Sequence, residues 1–327
     1  MGIGYRLLAI FVFLYSATCA AQTVCETVIA GNVILPDGRL IRHLDPSAIV
    51  NTDPKSVDIT SFAEDDSPRR ILLVLETTKE KRKEILQAEY DLAHFIVKNA
   101  RPQDRFAVVS ALGKRVEVPF QEDNSKALQA IDDLSNAKIR QYTQDGILDS
   151  IETSLRWFDP PQFGDAIIVI GSRTLANRFS NPEKLQKALM ARGIRVFAVV
   201  TGPIEVGTFY SGFARFTAVP QMYSWFSPDF SNSWVLSFHT GGYAMVHPEL
   251  DYYLASVKYD DSLRKTLERE GANIYLAITR TYRLSLKSTN AKTLVWKLGL
   301  TDDVKKDVPE AIILQPHALE PCAKKRD

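Results

Sequence analysis

Arg70-Ile71-Leu72-Leu73-Val74-Leu75-Glu76-Thr77-Thr78-Lys79-Glu80-Lys81 is the stretch whose reading decides the fold. Residues 71–75 are apolar without alternation, the pattern of a strand buried on both faces. The run ends in an acid and two hydroxyls, and a charged, periodic stretch begins at once. Thr77 or Thr78 suits an N-cap, and Glu80 suits the first helical turn. A strand–loop–helix joint of this kind sets polar groups at the carboxyl end of a central strand. In open α/β sheets that is where ligands bind.

Downstream, strands and helices alternate as far as residue 202. Ile85, Ala88, Leu92, Phe95 and Ile96 recur at helical spacing, so residues 79–99 are expected to form the first helix. Further strands are expected at 106–112, 116–120, 166–170 and 195–200. Helices are expected from Ser125 as a cap, over 144–158, and from Pro182 to an Arg192-Gly193 end. This alternation predicts a doubly wound, mostly parallel sheet with helices on both faces. Residues 204–238 break the rhythm with ten aromatic residues, Trp225 and Trp234 among them. They are read either as core folded over the sheet edge or as a partner-binding face. A Gly241-Gly242 turn, a strand at 243–246, a long helix over 249–270 ended or kinked by Gly271, and strands at 282–287, 293–300 and 311–314 follow. A charged turn is expected at 301–306.

Upstream, residues 26–69 are short, turn-rich strands, with a tight turn at Pro36-Asp37-Gly38. Arg6, the apolar run 7–15 and the small residues 16–21 have the layout of a secretory signal peptide, with cleavage expected after Ala20 or Ala21. A lipoprotein signal using Cys19 and a retained anchor are the competing readings. The expected organisation is therefore a signal peptide (1–21), a small β segment (22–69), the main α/β domain (70–275) and a C-terminal β segment (276–327) packing with the first.

The chain has 327 residues and a net charge of +1, with acids and bases interspersed. Such a balance gives no nucleic-acid footprint and no basic membrane-binding face. The sequence has no HExxH, no Walker phosphate loop and no nucleophile elbow. His94, within the first helix, is read as a surface or boundary residue. With no nucleophile–base or acid pair in view, the chain is expected not to be an enzyme.

In order, these features resemble a von Willebrand factor type A domain. More narrowly, they resemble the secreted bacterial proteins called VWFA-related, common in acidobacteria. The resemblance is carried by the β segment ahead of the domain, Thr240-Gly241-Gly242, the following helix, Tyr282-Arg283-Leu284 and the terminal Cys322. It implies a metal-ion-dependent adhesion site with a DxSxS loop after the first strand, a Thr before the third helix and an Asp at the end of the fourth strand. Here Glu76, Thr78 and Glu80 occupy the DxSxS place, Thr143 or Asp145 falls near the Thr, and Ser172 stands for the Asp. Glu76 is longer than Asp by about one C–C bond, ~1.5 Å, and magnesium demands near-ideal octahedral oxygens at ~2.1 Å. Arg173 adds a competing cation. The site is expected to be degenerate and to bind no metal cofactor. A remodelled magnesium or manganese site on Glu76, Thr78 and Asp145 is the alternative.

The resemblance implies a secreted or periplasmic binding module for an unknown protein or envelope component. The charge balance gives no expectation of a nucleic-acid partner, and no stretch after the signal is long and apolar enough for a membrane span. An inert scaffold of the envelope is the runner-up, and an enzyme of unknown type comes third.

Signal removal leaves Cys25 and Cys322, and two lone cysteines in an oxidising compartment usually pair. Closing so long a loop stabilises by roughly 5 kcal/mol in the chain-entropy model; the competing reading is two free thiols in frayed termini. Peptide mapping of the exported protein without reductant should recover the two cysteine peptides linked. Quantitative thiol labelling of both residues in native protein would refute the bond.

Overall fold

Strands that alternate polar and apolar residues bury one face, and strands without alternation bury both. The chain uses the two kinds in different sheets. A computed structural model describes residues 25–52, 57–77, 83–111, 116–136, 146–171, 181–201, 232–247, 259–288 and 294–319. The order begins β1 (Cys25–Ile34), β2 (Leu40–Ile41), β3 (Ile49–Asn51), β4 (Val57–Asp65), β5 (Arg70–Glu76), α1 (Lys83–Lys98), β6 (Arg105–Ala111), β7 (Glu117–Val118), α2 (Ser125–Ser135) and α3 (Ile147–Ser154). It continues with β8 (Ala166–Gly171), α4 (Pro182–Ala191), β9 (Arg195–Thr201), α5 (Asn232–His239), β10 (Ala244–His247) and α6 (Asp261–Thr279). The last elements are β11 (Thr281–Ser288), β12 (Leu294–Val295), β13 (Leu298–Leu300), α7 (Asp302–Asp307), β14 (Ile312–Leu314) and β15 (Ala318–Leu319).

The unalternated strands build a six-stranded sheet in the order β10-β9-β8-β5-β6-β7. β10, β9, β8, β5 and β6 run parallel, and the edge strand β7 runs antiparallel to β6. Ile71, Leu73 and Leu75 of β5 share a core with α1, α2 and α6. Leu72 and Val74 share one with α3, α4 and α5 on the opposite face. The alternating strands build a second sheet, in which β11 pairs with β1 on one side and β4 on the other. Tyr282, Leu284 and Leu286 of β11 are buried over their own core, while Arg283, Ser285 and Lys287 point outward. Strands from before and after the α/β sheet therefore share one layer. Among the described residues no helix is long and apolar enough to cross a membrane.

Three local expectations need correction. Of the long helix expected at 249–270, residues 249–258 lie outside the described residues; α6 begins after the cap Asp260, whose carboxylate accepts from Ser262 N and Leu263 N, and continues past residue 275 to Thr279. Gly271 neither ends nor kinks it; a Cβ there would lie 2.5 Å from Leu92 Cδ1, so the glycine lets α6 lie directly on α1. The charged stretch after Leu300 is helix α7, with Asp302 and Asp303 in its first turn and Lys305 and Lys306 in its last, each suited to the helix dipole. Ser125 is the first helical residue rather than the cap, which is Asn124.

Thr240-Gly241-Gly242 is a packing joint. Thr240 Oγ1 accepts from Val196 N and donates to Leu236 O, pinning the end of α5 to β9. A Cβ on Gly242 would sit 1.8 Å from Val196 O, a place only glycine can occupy.

Two buried arginines join the layers at the C-terminus of α6. Arg69 Nε donates to Ile278 O (3.1 Å), its Nη2 to Asp65 Oδ1 (2.7 Å) and Asp65 O (3.0 Å), and its Nη1 to Ser67 Oγ. Arg195 Nη2 donates to Ala277 O (3.1 Å) and its Nη1 to Asn32 Oδ1, while Asn32 Nδ2 donates to Arg280 O (2.9 Å). The last carbonyls of a helix lack intrahelical donors and carry its negative dipole end, so both guanidiniums suit this site. Truncating Arg69 leaves the Ile278 carbonyl without its donor and takes one partner from the half-buried Asp65, which keeps Ser67 and Arg283. Arg69→Ala is expected to cost about 1–3 kcal/mol, against a change within about 0.5 kcal/mol for the exposed Lys187→Ala. Urea denaturation followed by circular dichroism measures both.

Candidate binding face at the carboxyl ends of the strands

The strand order reverses at β5. β6 and β7 lie to one side of it, and β8, β9 and β10 to the other. The crevice between β5 and β8 is thus the topological switch point of the sheet, the usual ligand position in open α/β folds. Glu76 ends β5 at this point and Gly171 ends β8. Glu76 is 2 % exposed. Its side chain lies across the end of β8, so that a Cβ on Gly171 would be 2.8 Å from Glu76 Cβ and 2.9 Å from its Oε2. Thr77 then hooks the departing chain to β6: its N and Oγ1 both donate to Ala111 O, at 2.9 and 3.2 Å.

Other elements bring further polar groups to this end of the sheet. On α3, Asp149 Oδ2 accepts from Gly146 N at 2.9 Å, closing the first turn of that helix. From α1, buried Glu89 accepts from the hydroxyl of Thr201 at the end of β9. The next residue, Tyr90, is buried with its hydroxyl unbonded. Burial, reinforced by the fields of Glu89 and then Glu76, holds that hydroxyl protonated far above the usual tyrosine range. At the end of β10, buried His247 pairs through Nε2 with Glu270 Oε2 of α6.

Of the residues that the sequence marks for an adhesion site, Glu76 is the one within the described residues. Thr78, Glu80, Thr143, Asp145 and Ser172 lie outside them, as do Cys322 and most of the aromatic stretch 204–238. Phe238 is described and packs, partly buried, against the core beneath α3 and α4. Cys25 opens β1 opposite Ser288. His94 is half-buried, 3.9 Å from Asp132.

Glu89, Tyr90, Thr201, His247 and Glu270 were not anticipated. Glu89 had a signal: it stands four residues after Ile85 and three before Leu92, on the inward stripe of α1, where a charge is out of pattern. His247 and Glu270 pair from positions 23 apart, beyond the reach of any local motif.

Glu76 is the one expected ligand within the described residues, and its carboxylate lies over the end of β8. Among the described residues no group of three or more His, Cys, Asp or Glu side chains could hold a metal ion.

No protein-family model matches the chain, and no curated protein matches it. Among solved structures 214 chains match. An aerotolerance-related membrane protein from Bacteroides fragilis, with multiple mutations to serines, superposes with a TM-score of 0.41 at 16% identity, covering 62% of this chain and 98% of that one. Proximal thread matrix protein 1 from the mussel byssus, with a zinc-occupied MIDAS motif, gives 0.42 at 16% identity over 69% of this chain and 50% of that one. The VWA domain of SpRpn10 gives 0.38 at 10% identity over 56% of this chain and 89% of that one.

Proposed function

We propose that the chain is an exported binding module built on a doubly wound sheet of von Willebrand A type, of the VWFA-related kind. Its carboxyl-end face docks a protein or envelope component without a metal ion between them. One observation carries this reading: the strand order places its reversal between β5 and β8, and Glu76, the residue standing there, is folded over Gly171 instead of facing outward. Switch-point crevices are where such sheets bind. Export rests on the signal-like residues 1–21. The burial of Glu89 and His247, each engaged with a neighbouring side chain, favours a second reading, an inert envelope scaffold.

Capture by the mature protein from its own envelope, followed by mass spectrometry, separates the two. A partner retained equally in magnesium and in EDTA supports metal-free docking, and no specific partner supports the scaffold. Thermal melts give an independent check. A metal that binds only the native state, present at 100 times Kd, would add about 2.7 kcal/mol. Millimolar magnesium or manganese is expected to leave the melting temperature unchanged. A metal-dependent rise that disappears in Glu76→Gln would contradict the reading.

A further inference from the structure

His239 ends α5, and His317 stands in the segment that returns to it from the C-terminal strands. Residues 315–319 cross the end of α5 as a strap. Thr240 and Pro316 form an isolated antiparallel bridge, and His317 N donates to His239 O at 2.9 Å. Gly241, at φ 85°, lies so close beneath that a Cβ would meet Pro316 N at 2.7 Å. From the terminal layer, Trp296 Nε1 donates to Pro316 O at 3.1 Å and Leu298 N to Gln315 Oε1 at 2.9 Å. At the centre of this crossing the two imidazoles stack, with centroids 4.8 Å apart and planes 19° from parallel.

We propose that the stacked His239–His317 pair is an acid-released clasp: with His239 neutral it closes the 315–319 strap onto α5, and protonation of His239 opens it. His239 Nδ1 lies 2.7 Å from Gln186 Oε1 of α4. An amide oxygen only accepts, so Nδ1 carries the hydrogen and Nε2 takes the second proton. Burial first, and the His317 ring second, hold His239 down to about 4, against about 6.5 for a free imidazole.

Among the described residues, the surroundings offer the cation no compensating charge. From α4 the facing group is the neutral Gln186, and Arg192 at that helix's end is turned toward Asp159. From the strap the facing group is His317. Behind α5, Arg195 and Tyr243 pack with Phe197 on the opposite face of the sheet, and Arg195 is turned to Asn32 and Ala277 O. No carboxylate among the described residues contributes to the field at His239.

The sign follows from linkage. A histidine whose pKa is depressed when closed binds fewer protons than when open, so the closed form is favoured fully above pH ~6.5 and loses ground as pH falls toward ~4. Discounted for the partial exposure of the pair, strap opening should rise on the order of tenfold from pH 7.5 to pH 5.

Hydrogen–deuterium exchange on the mature protein, corrected for intrinsic rates, tests this. Peptides spanning 314–319 and 236–242 are expected to lose about tenfold protection at pH 5 while β5 peptides keep theirs. His239→Gln should remove most of that response with the strap still closed at pH 7.5. His317→Gln, at an exposed position, should weaken it, and decides the matter if the first variant does not fold. Protection that is independent of pH in the unmodified protein would overturn the clasp, as would an undiminished response in His317→Gln.

Discussion

Two guanidiniums buried at one helix end hold this molecule together. Arg69, just ahead of β5, and Arg195, the first residue of β9, supply donors to Ile278 O and Ala277 O, the last carbonyls of α6. Charges this deep cost several kcal/mol to desolvate unless hydrogen bonds and opposite charge meet them. Arg69 has the Asp65 carboxylate. Arg195 has Asn32, a helix carbonyl and the face of Phe197 at 5.2 Å, and burial together with the nearby Arg69 charge pulls its pKa down to about 9. The negative end of the α6 dipole offsets part of the cost for both. α6 leads straight into β11, the strand flanked by β1 and β4. The same contacts therefore fix the parallel sheet, the helix over it and the terminal layer to one another.

This arrangement bears on the opposite end of the sheet. The arginines occupy the amino ends of the strands, and the switch point between β5 and β8 lies at the carboxyl ends. Glu76 at the switch point is packed down on Gly171, and Glu89 and His247 bond to Thr201 and Glu270. Among the described residues, the polar groups at these strand ends thus lie against neighbouring elements of the fold.

Much of this architecture was legible because burial leaves a pattern. The unbroken apolar runs of β5, β8 and β9 announced strands covered on both faces, and the alternation in β11 announced one covered on a single face. What stayed hidden were charges in buried places. Arg69 and Arg195 stand at strand starts, where a basic residue reads as a solvated flank, and the α6 carbonyls that accept from them are 209 and 82 positions away in sequence. The end of α6 was misplaced because Gly271 read as a terminator, when its missing side chain makes room for Leu92. For the candidate site, the place of Glu76 after the central strand was legible, and it ends β5. Its inward fold depends on Gly171, 95 residues on, which no local reading could supply.

If the buried arginines join the layers, the terminal strands and the parallel sheet open as a single cooperative unit. Native-state hydrogen exchange at neutral pH, read at the amides of β1, β5 and β11, tests this. All three strands are then expected to exchange through one common opening, with the same free energy and the same denaturant dependence. If β1 and β11 instead open together at a free energy more than about 2 kcal/mol below that of β5, the terminal layer is a separate unit and the buried arginines do not join the two.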